Sequence, residues 1–467
     1  MKLLAAFVLT AAWSLAQNAT KIPKIVFTDN TLDNGLRVII SEDHYAPVYA
    51  IAISYKVGSR NEVKGRTGFA HLFEHMMFKG SENVGVGELD YLIYTNGGNM
   101  NGTTNTDRTL YYEVLPKNQL DLGLFLESDR MRGLVITQDN LENQRQAVKE
   151  ERRLRTDNQA YGQTSEKVEE LIYDNFAYHH SVIGSMADLD AASVDDVKQF
   201  FKTYYAPNNA VLALVGDLNT ADTLAKVKKY FGSIPRQEAP RRVDLAEPPK
   251  NGERRANMDD PLARLTRVDV VYRMPDGTSA DARALQVAAS ILGGGGGGFG
   301  GGRGGGGGNN SRLYLKLVQE KEVATQVSCS AQRRQGPGMF HISATVRPGH
   351  TPEEVEGLIS EEIAKLHAEP VTDKELQRVR MGVRRNAESR LTALARAQAL
   401  ADAAAVYNDP NLVNTQLDEE LQVTAADIQR AARADLLTAN RVVVVTTPKG
   451  GAAGGRRGAR QNQEDRQ

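Results

Sequence analysis

The chain has 467 residues, of which 41% are hydrophobic and 25% charged, so it is long enough for more than one domain with a buried core. Its 57 basic and 58 acidic side chains give a formal net charge of -1, which argues against a basic surface for nucleic acid. The single cysteine, Cys329, excludes an internal disulfide and a multi-thiolate zinc or iron–sulfur site. We therefore expect a globular protein with no nucleic-acid partner.

The N-terminus predicts a secretory signal peptide over residues 1–16. Lys2 precedes an apolar run that ends at Leu15, and small residues precede Gln17 at the usual cleavage spacing. The alternative is a membrane anchor, but a span needs about 20 apolar residues and this run is shorter. We expect an exported chain, periplasmic or secreted, with no membrane span in its mature part.

Beyond the signal, short strand-like runs such as 36–40 and 48–55 alternate with segments of helical period, which is an α/β pattern. Residues 235–260 are rich in proline and arginine and poor in large apolar side chains. This composition predicts a linker between an N-terminal domain, 17–234, and a C-terminal domain, 261–448.

Two segments of the chain have similar sequences. Residues 193–215 and 424–446 share a capped helix, a short turn and a valine-rich strand, and Asp196 aligns with Asp427. Chance is the alternative for so short a match. We favour duplication, because both segments close their half of the chain in the same way.

Two low-complexity stretches carry no pattern of packed side chains. Residues 293–308 are almost all glycine and predict a mobile loop. The tail, 449–467, is rich in Gly, Arg and Gln without periodicity, which predicts disorder.

The most informative motif is RTGFAHLFEHMMFKG at residues 66–80. On a helix, His71 and His75 lie one turn apart on the same face, so both imidazoles can reach one metal ion. Glu74 lies beside that face, where it could hold a water molecule. The order H-x-x-E-H is the inverse of the usual zinc-peptidase motif. The alternative is a pair of core histidines satisfied by local hydrogen bonds.

A catalytic zinc usually takes three protein ligands, so a third ligand is expected elsewhere. The segment 141–155 has helical period, and Glu151 projects from the same stripe as Val148. Glu150 is rotated about 100° away towards the charged side. Glu151 is therefore the candidate, and a solvated charged face is the alternative reading.

These residues resemble the pitrilysin and insulinase family of inverted-motif zinc peptidases. The resemblance rests on HLFEHMMFKGSENV, the paired acids in VKEERR, GGNMNGTTNTDRTLYYEVLP at 97–116, YYAPNNAVLALVGD at 204–217 and SRLYLKLVQEKEVA at 311–324. It implies an α+β fold of two duplicated α/β halves. Each half would be a largely antiparallel sheet with helices on one side, and the halves would enclose a cavity. The length resembles the short-subunit branch, which includes mitochondrial processing peptidase and bacterial two-subunit peptidases.

The resemblance also implies the roles of the site residues. One Zn²⁺ per chain would be bound by His71, His75 and Glu151, and Glu74 would act as the catalytic base. Asn101 and Gly102 would belong to an edge strand that pairs with the backbone of a peptide substrate. The alternative for these two residues is an ordinary hairpin turn.

The chain departs from the family pattern in two places. Many members have an acid seven residues before the third ligand, near the metal, and here that position is Gln144. Members that are competent across both halves have an Arg and a Tyr in the second half, where this chain has Val318 and Thr325. We expect a homo- or heterodimer in which a related subunit supplies the Arg and Tyr.

The sequence therefore predicts an exported zinc metalloendopeptidase subunit that hydrolyses peptides or unfolded segments. The alternative is a catalytically weak or inactive subunit that captures peptides or acts as a scaffold in a hetero-oligomer. The glycine run at 293–308 is either a flexible flap over the substrate or a drifting insertion.

Overall fold

The computed structural model describes residues 22–249, 252–294 and 308–449. The predicted signal peptide, most of the glycine run and the tail beyond Lys449 lie outside the described residues, so those assignments stay predictions. In the described ranges, no helix has the length and apolar character needed to cross a membrane.

The N-terminal half contains a six-stranded sheet with the strand order β1-β2-β6-β3-β5-β4. Neighbouring strands are antiparallel except β2 and β6, which are parallel. Strand β4 lies at one edge, where it pairs with β5. The strands are β1 Thr28–Thr31, β2 Arg37–Glu42, β3 Val48–Tyr55, β4 Asn99–Thr104, β5 Thr109–Pro116 and β6 Ala210–Gly216.

Helices of the same half cover one face of this sheet, because their apolar stripes meet the inward side chains of the strands. The central strands β3 and β6 are buried on both faces, which explains their nearly continuous apolar sequences. The helices are α1 Phe69–Met76, α2 Glu88–Thr95, α3 Leu120–Arg132, α4 Gln138–Arg152, α5 Gly162–Ile172, α6 Met186–Asp190, α7 Val194–Tyr204 and α8 Thr220–Phe231.

The C-terminal half contains a five-stranded sheet with the order β7-β11-β8-β10-β9. Its strands are antiparallel except the parallel pair β7 and β11. The strands are β7 Arg254–Asp260, β8 Arg267–Asp276, β9 Ala324–Gln332, β10 Pro337–Val346 and β11 Arg441–Pro448. Strand β7 lies inside the predicted linker, 235–260. Its residues are mostly polar and alternate in exposure, as an edge strand allows. Because it lacks an apolar run, its composition alone indicates a linker.

The remaining helices pack mainly around the second sheet. Helix α9 precedes the glycine run and ends at Gly293. The helices are α9 Ala280–Gly293, α10 Pro352–Ala368, α11 Asp373–Glu388, α12 Ala393–Val406, α13 Leu412–Gln422 and α14 Ala425–Asp435.

The predicted duplication is confirmed by the fold. Ser193 caps α7 in a capping box with Asp196, and Thr424 caps α14 in the same way with Asp427. Each helix is followed by a 3₁₀ turn and then by a central strand, β6 or β11. The two sheets also share a strand order, since β7-β11-β8-β10-β9 corresponds to β2-β6-β3-β5-β4.

One helix from each half also packs on the sheet of the other half. The prediction of helices on one side of each sheet did not include this exchange. Helix α12 packs against the second face of the first sheet, where Leu400 and Ala404 join the cluster around Ala52. Reciprocally, α5 packs on the second sheet, where Val168 meets Val442. A cavity of about 800 Å³ lies between the halves, lined by residues of both.

Candidate metal centre

Helix α1 carries the H-x-x-E-H motif and is mostly buried. It begins after Gly68, whose φ of 84° lies in the left-handed region that glycine adopts without strain. Its apolar side chains Phe69, Leu72, Phe73 and Met76 are buried in the core of the N-terminal half. Because these buried side chains fix the rotation of the helix about its axis, His71, Glu74 and His75 all project from the same side of it.

Helix α4 supplies the third residue. Its N-cap is Thr137, whose hydroxyl accepts a hydrogen bond from the Asn140 amide. Leu141 and Val148 are fully buried, as the predicted stripe requires, and α4 packs against α1. At the end of this stripe Glu151 is half-buried beside the two histidines. Glu150 is exposed and pairs with Arg153 at 3.0 Å.

The structure brings His71, His75 and Glu151 together. Nε2 of His75 lies 3.2 Å from Oε2 of Glu151, and Nε2 of His71 lies 3.5 Å from the same oxygen. One ligand atom from each residue falls within 4.8 Å of the others, and within the described ranges no other group of this kind is found. The distances suit three side chains directed at one ion.

The chemistry of these groups also fits a zinc ion, for which two imidazole nitrogens and a carboxylate oxygen are a common ligand set. Burial, together with the nearby His75, lowers the pKa of His71, so its ring is neutral and able to bind a metal at pH 7. Nδ1 of His71 is buried without a hydrogen-bond partner among the described residues. The hydrogen bond with His75 lowers the pKa of Glu151, and Arg155 lies 2.5 Å from its other oxygen.

Glu74 lies beside this cluster and faces strand β4. Oε2 of Glu74 accepts a hydrogen bond of 2.5 Å from the Thr104 hydroxyl, while Oε1 is directed towards Gly102. Burial raises the pKa of Glu74, and the bond from Thr104 opposes that shift. Thr104 is not among the site residues predicted from the sequence. Strand alternation gives the signal, because Thr104 lies two residues from Gly102 and so on the same face.

Asn101 and Gly102 lie on the edge strand β4, as the resemblance implied. Asn101 is opposite Tyr112 and Gly102 is opposite Tyr111 on β5. The amide of Gly102 donates a hydrogen bond of 2.8 Å to Oδ1 of the Asn101 side chain. These two residues therefore lie at the free edge of the sheet beside Glu74.

The structure also describes Gln144, and it describes Val318 and Thr325, which stand where family members have the Arg and Tyr. Gln144 is buried on α4, and its amide donates to Oδ1 of Asn143 at 2.5 Å, so the structure gives it no hydrogen bond to the metal cluster. Val318 packs against the second core. The Thr325 hydroxyl donates to the Thr345 carbonyl at 3.3 Å, within its own sheet.

Comparisons with known proteins agree with this fold. The family model described as insulinase, peptidase family M16, matches residues 37–185, and the model described as peptidase M16 inactive domain matches residues 191–383. The zinc protease PqqE of Helicobacter pylori is 30% identical over 405 residues, which are 86% of this chain and 88% of that protein.

Two further relatives extend the comparison. A probable mitochondrial-processing peptidase subunit beta of Arabidopsis thaliana is 25% identical over 356 residues, 75% of this chain and 65% of the relative. The crystal structure of a protease from Helicobacter pylori superposes with a TM-score of 0.84 at 29% identity, and covers 91% of this chain and 100% of that one. With its two halves matched in turn and its H-x-x-E-H cluster intact, the chain belongs to the insulinase family of peptidases, peptidase family M16.

Proposed function

We propose that the chain is the zinc-binding subunit of an exported metalloendopeptidase that hydrolyses peptides or unfolded segments. The observation that carries this proposal is the convergence of His71, His75 and Glu151 beside the buried carboxylate of Glu74. A catalytic zinc site needs three such ligands and an adjacent general base. The names of the zinc-protease relatives support the same chemistry.

In this proposal His71, His75 and Glu151 hold one zinc ion per chain. Bound there, zinc would supply an acidified water and polarise the scissile carbonyl. Oε1 of Glu74 accepts the proton of the attacking water, because Oε2 is already engaged by Thr104. The protonated carboxyl then returns that proton to the leaving amine. Arg155 holds the second oxygen of Glu151 and so keeps Oε2 turned towards the histidines.

The free edge of β4 is the proposed binding site for the substrate backbone. A peptide added beside β4 would extend the six-stranded sheet and would pass Glu74 at Gly102. A substrate carbonyl would replace the Asn101 side chain as the acceptor for the Gly102 amide. Because backbone pairing reads an extended shape, the site would select unfolded segments more strongly than a particular sequence.

A related partner subunit completes the proposed enzyme. Val318 and Thr325 cannot donate hydrogen bonds to a transition state as Arg and Tyr would, so a homo- or heterodimer partner would contribute that pair. A relative named as a subunit of mitochondrial-processing peptidase supports this assembly. Export is proposed from the N-terminal sequence at residues 1–16.

The second candidate function is a catalytically weak or inactive subunit that captures peptides or serves as a scaffold. The matched C-terminal family model, which is described as an inactive domain, favours it. Such a subunit would keep the edge strand β4 and could bind peptides without cutting them. Turnover separates the two functions.

The test uses the purified mature chain and its Glu74→Gln variant, each alone and mixed with any subunit that co-purifies. Metal content is measured by mass spectrometry, and turnover is measured with an unstructured fluorogenic peptide. One zinc per chain in both proteins, with turnover lost in Glu74→Gln, supports the enzyme. Turnover that requires the partner supports the shared site. Zinc without turnover under either condition favours the capturing subunit, and absence of zinc refutes the metal centre.

A further inference from the structure

The buried carboxylate of Glu62 and the partly buried imidazole of His180 meet at the start of α1, and neither group takes part in the proposed reaction. Oε1 of Glu62 accepts the amide of Ala70 at 2.8 Å, and Oε2 accepts the amide of Gly68 at 2.9 Å. Oε2 also lies 2.9 Å from Nε2 of His180. Glu62 is 7% exposed, so these contacts are shielded from water.

Glu62 performs a task that the helix cannot perform for itself. The first amides of an α-helix have no partner within the helix, and a side chain at the N-cap usually accepts one of them. The N-cap of α1 is Gly68, which has no side chain. Glu62 accepts two of these amides instead, and its negative charge lies at the positive end of the helix dipole. The position of α1 therefore depends on where Glu62 is held.

His180 holds Glu62. Its Nδ1 donates to the carbonyl of Phe176 at 2.9 Å, and its ring stacks on the Phe176 ring with a centroid separation of 4.5 Å. With Nδ1 fixed in this way, Nε2 is directed at Glu62. Loss of the imidazole would leave a buried carboxylate without its ionic partner, which is costly in a low-dielectric environment.

The segment that follows His180 reaches the second metal-bearing helix. The carbonyl of Gly184 accepts a hydrogen bond of 2.6 Å from Arg152 on α4, the residue next to Glu151. Gly184 also lies directly against the start of α1, since a Cβ atom at position 184 would stand 2.4 Å from the Cα atom of Gly68. We call Glu62, His180, Gly184 and Arg152 the helix clamp, because they connect α1 to α4.

We propose that Glu62 and His180 are positioning residues of the metal centre. They set the start of α1 relative to α4, and so set the separation between His71 and His75 on one helix and Glu151 on the other. This inference rests on the proposed zinc function. Its direct consequence is a change in zinc affinity when the helix clamp is broken, even though none of the three ligands is altered.

The chain offers a matched control in the neighbouring histidine. His179 is also partly buried, and its Nδ1 contacts the carbonyl of Tyr173 at 2.8 Å, but the structure shows no contact between His179 and Glu62. Zinc affinity of the mature full-length chain is measured by competition with a chromophoric chelator. We expect His180→Ala to weaken zinc binding by about 10- to 100-fold, the usual effect of removing a group that orients a ligand. We expect His179→Ala to stay within about twofold of the parent.

Two further variants separate positioning from general stability. His180→Gln keeps an amide donor for Glu62 and should recover part of the zinc affinity. Glu62→Gln should lose zinc affinity, because the glutamine NH2 group would face one of the two backbone donors, Gly68 or Ala70, that now bond to separate carboxylate oxygens. The melting temperature of each metal-free variant is recorded. Equal zinc affinity for His180→Ala and His179→Ala would refute the inference. Equal zinc affinity for the parent and Glu62→Gln would also refute it, and this second comparison remains available if His180→Ala fails to fold. Absence of zinc binding by the parent would instead refute the proposed function.

Discussion

Gly102 of β4 lies directly against the side chain of Glu74 on α1. A Cβ atom at position 102 would stand 3.1 Å from Cγ and 3.2 Å from Oε1 of that glutamate, and 3.3 Å from the ring of Phe78. Contacts this close are tighter than ordinary van der Waals separations. A residue without a side chain therefore allows the edge strand to approach the carboxylate.

We expect Gly102→Ala to reduce kcat/KM by about 10- to 100-fold, the range in which small misplacements of catalytic groups act. The added methyl group would displace Glu74 or move β4 away from it, while the zinc ligands stay in place. Turnover and zinc content are measured together. Gly357→Ala is the control, because nothing lies within 4 Å of a Cβ there. Equal turnover in the two variants would show that the close approach has no catalytic importance.

The adjacent acids on α4 allow a test of ligand assignment. Glu151→Gln removes the carboxylate that faces both histidines, and we expect zinc affinity to fall by at least about 100-fold since a direct ligand is lost. Glu150→Gln changes an exposed side chain that pairs with Arg153. Its zinc affinity should match the parent in the same chelator competition. A loss in Glu150→Gln, with Glu151→Gln unaffected, would reverse the assignment.

The grouping of His71, His75 and Glu151 was predictable where its signals are local or periodic. The spacing of His71 and His75 on one helical turn, and the stripe that leads to Glu151, are properties of single segments. Hydrophobic periodicity determines which face of a helix is buried. The faces that carry His71 and His75 on one helix and Glu151 on the other could therefore be predicted without knowing that the two helices are in contact. Strands β2 and β3 were likewise visible in the sequence as strand-like runs.

The helix clamp was not predictable in this way. Glu62 and His180 are far apart in sequence, each lies outside regular structure, and their pairing depends on how the chain folds back near Gly184. Strand β7 was missed for a related reason, since its polar sequence becomes a strand through pairing with β11. Tertiary contacts determine both the Glu62–His180 pair and strand β7, and such contacts cannot be inferred from local composition.

The C-terminal half should lose stability in acid through Glu375. The hydrogen bond with Arg312 lowers the pKa of Glu375 from 4.5 to about 2. Because the folded state favours the ionised form, this contribution is present above about pH 4.5 and is lost as the pH falls towards 2.

Urea unfolding of the parent and of Glu375→Gln at several pH values tests this contribution. We expect the variant to be less stable by about 2 kcal/mol at pH 7, less than the full pKa difference would give, because solvent screens this partly exposed ion pair. We expect that difference to disappear near pH 2. Glu369→Gln, at an exposed position shortly before α11, is the control and should follow the parent. A difference that is independent of pH would mean that charge is not the cause.

Asp107 should couple the hairpin of β4 and β5 to the C-terminal half. It is 6% exposed, and its carboxylate accepts hydrogen bonds from Arg60 at 2.9 Å, from the Tyr178 hydroxyl at 2.7 Å and from the Gln335 amide at 2.9 Å. Gln335 lies between β9 and β10 of the second sheet. One buried carboxylate thus connects the end of the proposed substrate strand to the other half of the chain.

We expect Asp107→Ala to lower the free energy of unfolding by about 3–5 kcal/mol, because it leaves the buried guanidinium of Arg60 without its charge partner. Asp29→Ala removes the partner of a partly exposed arginine, Arg37, and should cost at most about 1 kcal/mol. Urea unfolding followed by circular dichroism measures both losses. If Asp107 also holds β4 in place, KM for an extended peptide should rise in Asp107→Asn, whose fold is less disturbed. An unchanged KM together with a large loss of stability would confine Asp107 to joining the two halves.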